Sequence, residues 1–386
     1  MKWNMISMGD IALRKGVTVD PKKHQDEVFE LYSIPAFDAG APEVVAGSKI
    51  GSSKKAVQPD DVMISRIVPH IRRACVVGPV SRHRQIASGE WIIFRDKRIW
   101  PSFLRWVLVG DAFHSAFMRT VSGVGGSLLR ARPAEVFKIQ IPLPPLPEQR
   151  RIAEILDKAN AMRANRRAAL NRLDTLTKSF FLNMFGDPAT NPKRWPTSAL
   201  EDLFEISRGG SPRPIDDYIT ESRDGVNWIM IGDAPENAKY ITATKRKIKP
   251  EGAKRSRRVN PGDFLLTNSM SFGRPYIMRT SGCIHDGWLV LSPRKSNVIP
   301  DYYYSLLGSR ALYTEFSRRA PGATVKNLNI GLVRSVVVPV PPEAKQREYA
   351  DRVSEIERLT VPFRRALDGL EDLLASLQQH AFRGNL

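Results

Sequence analysis

The chain has 386 residues, 42% of them hydrophobic, and a formal net charge of +19. That is long enough for two or three domains with cores of their own, but no apolar run approaches the ~20 residues of a membrane span. Met1-Lys2-Trp3-Asn4 opens no signal-peptide core, and Cys75 and Cys283 are too few for a disulfide framework or a metal cluster. A cytoplasmic protein with a polyanionic partner, nucleic acid above all, is the expectation.

Residues 1–147 carry +8 of the charge and read as a mixed α/β domain. Trp3 and Met8-Gly9-Asp10-Ile11 suggest a short strand or turn. Lys49 to Lys55 is a basic glycine-serine loop. Pro59-Asp60-Asp61 then turns into Val62-Met63-Ile64, a buried-strand pattern, and Trp91-Ile92-Ile93-Phe94 is another. Phe103, Val107, Leu108, Phe113 and Phe117 have the spacing of a helix or helix pair. Ser122 to Ser127 is a glycine loop, and Val136 to Ile141 closes the domain. Lys54, Lys55, Arg66, Arg72, Arg73, Ser127 and Arg130 are its candidate nucleic-acid contacts.

Ile141-Pro142-Leu143-Pro144-Pro145-Leu146-Pro147 holds the chain extended, because proline fixes φ and keeps the preceding residue out of the α region. From Glu148 no proline or glycine occurs until Gly186. Ile152, Ile155, Ala159, Met162, Arg166, Ala169, Leu173, Leu176 and Phe180 alternate at spacings of three and four, a heptad seam. About 37 residues at ~1.5 Å each predict a rod of roughly 55 Å. Such a rod needs a partner to pack on.

The chain repeats itself at an offset of 197 residues. Val338-Pro339-Val340-Pro341-Pro342 and Gln346-Arg347 match the first proline turn, and Phe382 matches Phe185. Tyr349, Ile356, Leu359, Phe363, Ala366, Leu370, Leu373 and Leu377 form the second seam. Within residues 187–342, also +8, Trp195 answers Trp3, Pro261-Gly262-Asp263 answers Pro59-Asp60-Asp61, Arg274 answers Arg72 and Trp288 answers Trp91. This is a duplicated half-protein, not a solenoid. Slips of a few residues mark loops, where insertion is tolerated.

Basic, small and amide side chains cluster in the loops of the second copy: Arg208, Ser211, Arg213, Lys247, Arg257, Asn268, Ser269, Ser271, Arg274, Thr324, Lys326 and Asn327. Arg fits the paired acceptors of guanine, Asn the donor-acceptor pair of adenine, and Lys the phosphates. Chemistry of other kinds is missing. There is no glycine-rich cofactor turn with an Asn/Asp-Pro-Pro-aromatic motif and no P-loop lysine. The six histidines are dispersed, and Pro300-Asp301 with Glu343-Ala344-Lys345 is a chance match to nuclease spacing. The expectation is a non-catalytic chain. Two rivals are a scaffold whose basic domains bind RNA or partner proteins, and a stand-alone nuclease.

The pattern resembles the specificity subunit of type I restriction-modification systems. Its carriers are Pro142-Leu143-Pro144-Pro145-Leu146-Pro147-Glu148-Gln149-Arg150-Arg151-Ile152-Ala153 with the long helix, the divergent copy at 341–350, the Trp-led starts, Gly210-Ser211-Pro212, Pro261-Gly262-Asp263 and Asn327-Leu328. The resemblance implies an α+β fold: two similar target-recognition domains (1–147 and 187–342) separated by two long helices (148–186 and 343–386). These pack as an antiparallel coiled coil with a pseudo-two-fold internal repeat. Ile152, Ile155, Leu173, Leu176 and Phe180 would pack on Ile356, Leu359, Leu370, Leu373 and Leu377. It also implies that the chain reads a bipartite, asymmetric site in double-stranded DNA. Two modification subunits would bring S-adenosylmethionine, and restriction subunits, where present, ATP with Mg; this chain would hold no cofactor itself. Two departures bear on this. The second turn reads Pro341-Pro342-Glu343-Ala344-Lys345-Gln346, which would alter its grip on a partner, and Pro362 inside the second helix should kink or break it, at ~3 kcal/mol if the helix stays straight.

Overall fold

The computed structural model describes residues 3–80, 82–123, 129–235, 238–268, 272–319 and 327–384. By its internal contacts the chain divides into a first unit, Met1–Arg167 with Arg365–Leu386, and a second, Ala168–Arg364.

In the first unit Asn4–Ser7 pairs antiparallel with Gln140–Leu143, which delivers the chain to the long helix. Val62–Ser65 lies between Ala74–Val76 and Trp91–Phe94 in an antiparallel sheet, and all four of its residues are buried. Both faces are covered, so the strand shows no polar alternation. Val62, Ile64, Ile92 and Phe94 face Phe103, Leu104, Val107 and Phe117 of two helices, Pro101–Val109 and Asp111–Met118, together with Ile152 and Leu156 of the long helix. Met63, Trp91 and Ile93 face Tyr32 and Val57 on the other side. There a five-stranded sheet follows the order Thr18–Val19, Lys54–Ala56, Arg84–Ala87, Val28–Tyr32, Glu43–Ala46. The Trp91 indole N–H donates to the Tyr32 carbonyl at 2.9 Å and ties the sheets together.

The second unit is built the same way. Thr197–Ala199 pairs with Val337–Pro339, and the buried strand Phe264–Thr267 lies between Trp288–Pro293 and Pro275–Met278. Helices Pro300–Leu307 and Arg310–Arg319 cover it. A second sheet has the order Ile219–Thr220, Arg246–Ile248, Val226–Ile229, Gly282–Ile284, Arg257–Val259. The Trp288 indole donates to the Ile229 carbonyl at 3.2 Å, across the same 59 residues of chain as its counterpart in the first unit. The turns before the two buried strands also agree. Asp60 and Gly262 have φ of 69° and 95°, and Asp61 and Asp263 each accept from the backbone N–H three residues earlier.

Two long helices, Leu146–Phe185 and Glu343–Arg383, complete the units. In the first unit Ile152, Leu156 and Ala159 share a core with Leu374 and Ala381, and Arg167 pairs with Glu371. In the second, Phe181 and Phe185 share a core with Tyr349 and Val353. In each unit the beginning of one helix meets the end of the other, so the segments run antiparallel. Phe185 stacks edge-on against Tyr302 at 4.8 Å, and Phe382 against Phe103 at 6.1 Å, the matching rings of the two copies.

The covered stripe differs from the expected seam. It runs Ile152, Leu156, Ala159, Arg163, Arg166, Leu170, Leu173, Thr177, Phe180 and, on the second helix, Gln346, Tyr349, Val353, Ile356, Thr360, Phe363, Leu367, Leu370, Leu374, Leu377, Ala381. Ile155 is only partly buried, and Leu176, Leu359 and Leu373 are 42%, 56% and 47% exposed. The expected seam placed the second residue of each heptad three places after the first, as in Ile152 to Ile155 and Leu173 to Leu176. The covered stripe takes the step of four first, as in Ile152 to Leu156 and Leu173 to Thr177, and a residue one place off points about 100° away. Pro362 does not end the helix. It lies on the exposed side, as does Arg358, whose unpaired carbonyl can meet water.

The Gln-Arg landmark has an internal explanation. Gln149 is fully buried; its amide donates to the carbonyls of Pro144 (2.8 Å) and Arg98 (2.9 Å), and its Oε1 accepts from the Trp100 N–H at 2.7 Å. Gln346, equally buried, donates to the Pro341 carbonyl at 2.9 Å and accepts from the Ile299 N–H at 3.3 Å. Each glutamine locks the proline turn to the start of an earlier helix of its unit, Pro101–Val109 or Pro300–Leu307, where an N–H would otherwise lack a partner. The changed residues of the second turn leave this staple intact.

Candidate nucleic-acid interface

Two of the first unit's candidate cations meet at one carboxylate, and a third lies nearby. Arg66 leaves the end of the buried strand Val62–Ser65, with its N–H on the Glu90 carbonyl (3.0 Å) and its own carbonyl on the Ala131 N–H (2.8 Å). Arg130 is bridged to Ile67, which sets the two arginines side by side. Both donate from Nε to Glu90 Oε2, Arg66 at 3.0 Å and Arg130 at 3.5 Å. Their side chains stay 34% and 43% exposed. Lys55 approaches from the neighbouring sheet, its Nζ donating to the Trp91 carbonyl at 3.1 Å. Burial, and then the nearby Arg66, hold its ammonium below the usual lysine range. The turn that follows holds Val68 at φ 48°, a left-handed conformation that a β-branched residue rarely adopts and that costs roughly 1–3 kcal/mol.

The remaining candidates of this unit are engaged in the fold. Arg73, 9% exposed, forms a two-pronged pair with Asp38 at 2.7 and 2.8 Å, which holds the Asp38 carboxyl below its usual range. Arg72 binds the Val109 carbonyl and Asp111. Lys54 is buried and donates to the carbonyl and hydroxyl of Ser52. These are structural uses of charge: removing a well-paired cation from water is offset only by a fixed partner. Ser127 lies outside the described residues.

The second unit has its own acidic hub. Asp286 accepts from the Ser211 hydroxyl at 2.7 Å, and its carbonyl accepts from Arg208 Nε at 3.0 Å; Arg213 lies 3.7 Å from its carboxylate. The Ser211 hydrogen bond, chiefly, holds Asp286 below the usual carboxyl range. Gly209 makes this approach possible, since a Cβ there would stand 2.0 Å from the His285 carbonyl oxygen. The ring of His285 accepts from the Gly287 N–H at 2.9 Å, and burial pushes its pKa below the ordinary value. Asn268 occupies the place of Arg66, its N–H on the Gly287 carbonyl and its carbonyl on the Leu328 N–H. It is 3% exposed, and its Oδ1 has no hydrogen-bond partner among the described residues.

The other candidates of this unit do not converge on Asp286. Lys247 and Arg257 lie in one five-stranded sheet with two strands between them. Arg274 donates its backbone N–H to the Thr267 hydroxyl, and Asn327 is exposed. Ser269, Ser271, Thr324 and Lys326 lie outside the described residues. The hubs Glu90 and Asp286 were missed in the sequence, although they stand one and two residues before the tryptophans that open their strands. Lys239, also missed, is bound by Asp301 and, at 2.6 Å, by Glu357. Burial disfavours its ammonium, but Asp301 and then Glu357 outweigh that and raise its pKa. Among the described residues no group of three or more His, Cys, Asp or Glu could hold a metal ion, and no helix is long and apolar enough to cross a membrane.

The sequence profile described as "Type I restriction modification DNA specificity domain" matches residues 192–366. The chain is 25% identical over 281 residues to the "Type I restriction enzyme EcoBI specificity subunit" of Escherichia coli, covering 64% of this chain and 58% of that one. It is 22% identical over 291 residues to the EcoKI specificity subunit of Escherichia coli strain K12, covering 68% and 61%. The matches thus span about three fifths of the length of these relatives. Among solved structures, a chain from work on "complex assembly and conformational transition of the type I R-M system" superposes with a TM-score of 0.57 at 21% identity, covering 100% of this chain and 98% of that one. The "Type-I restriction-modification system S subunit from M. genitalium" gives 0.58 at 12% identity, covering 99% and 96%. The solved structures carry the α+β fold with its duplicated units and long helices, and the domain match makes residues 192–366 of this chain similar to the DNA specificity domain of type I restriction-modification systems.

Proposed function

We propose that this chain is the DNA sequence-recognition subunit of a type I restriction-modification complex. Each unit reads one half of a bipartite, asymmetric site in double-stranded DNA, and the chain itself catalyses nothing. The recognition domains would be residues 1–147 and 187–342, with 148–186 and 343–386 as spacer helices. The observation that carries this reading is the duplication: two units of one architecture, each with two arginines drawn to an acidic residue near the tryptophan that opens the same strand. One scaffold with two different loop sets is suited to reading two different half-sites. Two modification subunits would supply S-adenosylmethionine, and restriction subunits, where present, ATP with Mg, in the cytoplasm.

Mapping adenine methylation in the host genome with and without the gene for this chain tests the proposal. A two-part motif that disappears with the chain is the expected result. Methylation that is unchanged would overturn it in favour of an RNA- or protein-binding scaffold.

A further inference from the structure

Resting on that reading, we infer that Arg66 and Arg130 read a guanine in the half-site of the first unit, and that Glu90 is the residue that positions them. Both arginines use Nε for Glu90 Oε2, at 3.0 and 3.5 Å. Their terminal amino groups have no internal partner among the described residues. A guanidinium held by one edge keeps its other donors in a fixed plane, and two parallel N–H donors match the O6 and N7 acceptors of guanine. Their backbones are held as well: Arg66 is pinned at both its N–H and its carbonyl, and Arg130 is bridged to Ile67. The strained Val68 next to them fixes where the chain turns away.

The carboxylate has a second consequence. Arg66 and Arg130 pair with it and Lys55 lies close by on the Trp91 carbonyl, so Glu90 lowers the local positive charge and with it the attraction for any phosphate backbone, which is independent of sequence. In the second unit the equivalent position holds Gly287, and Arg66 is replaced by Asn268. The guanine-reading device therefore belongs to the first unit alone, and only one half of the recognised site should depend on it.

The test is selection of the full chain against a random-sequence duplex pool, with the retained DNA sequenced, for the wild type, Arg66→Ala and Glu90→Gln. The wild type should retain a two-part motif. Arg66→Ala should lose one guanine from one half by roughly ten- to a hundredfold in preference and leave the other half intact. Glu90→Gln should weaken the same guanine while binding to unrelated duplex rises. Loss of affinity by Arg66→Ala at all sequences alike, with a shallower salt dependence, would make Arg66 a phosphate contact and overturn the inference. So would an unchanged motif in both variants. A wild-type chain that selects no motif at all would instead overturn the underlying reading, and the inference with it. The intact second half-site in each variant reports that the chain is folded.

Discussion

Gln149 and Gln346 show what a single side chain does in this molecule. Each is a buried amide that serves a proline turn and a helix start at once, so its removal leaves an N–H and at least one carbonyl unsatisfied. An unsatisfied buried group costs about 1–3 kcal/mol. Gln149→Ala should therefore destabilise the chain by about 2–3 kcal/mol and Gln346→Ala by less, because Gln149 makes three hydrogen bonds and Gln346 two; melting temperatures of the two variants check the order. His285 supplies a pH dependence. Burial depresses its pKa in the fold, so its contribution to stability is complete above the unfolded value of about 6.5 and is lost as pH falls through the folded one. Between pH 7 and pH 5 the wild type should lose more thermal stability than His285→Gln. Equal losses would show that the imidazole does not contribute.

At the scale of elements, the long helices carry the most instructive difference between sequence and structure. Their existence and heptad period were legible, because about forty residues without a break can bury a stripe only against another helix. The phase was not. Arg163, Thr177 and Thr360 lie on the stripe, while Leu176, Leu359 and Leu373 lie off it. Polar residues are tolerated at a seam where long stems or local hydrogen bonds cover them; Thr177 and Thr360 donate to the carbonyls of Leu173 and Ile356, four residues earlier in each case. If the helices set the distance between half-sites, a seven-residue insertion after Ala169, matched by one after Arg364, should keep the stripe in phase. It would lengthen the rods by about 10 Å, or about three base pairs of spacer. Methylation mapping should then find both half-sites unchanged and the gap longer. An unchanged gap would defeat the ruler.

For the whole molecule the net charge of +19 makes a prediction about salt. Binding to duplex DNA should weaken linearly on a log–log plot, with a slope of about −0.9 for each phosphate contacted. Arg208→Ala and Arg213→Ala together should reduce that slope, whereas Arg73→Met should leave it unchanged, since Arg73 is committed to Asp38. An equal loss of slope in Arg73→Met would place that residue at the DNA.

Much of this was written in the one-dimensional chain. The 197-residue offset, the proline turns, the basic halves and the buried runs Val62-Met63-Ile64 and Phe264-Leu265-Leu266 are local in nature, and local patterns are set by φ restriction and periodicity. Which cations are free for a partner was not written there. Arg66 and Arg73 are both arginines of one loop, yet one keeps open donors beside Glu90 and the other is closed in on Asp38. Glu90 and Asp38 lie 24 and 35 residues away from them along the chain. Only the pairing of strands decides which carboxylate a guanidinium meets, because an ion pair depends on distance in space and not on separation along the backbone.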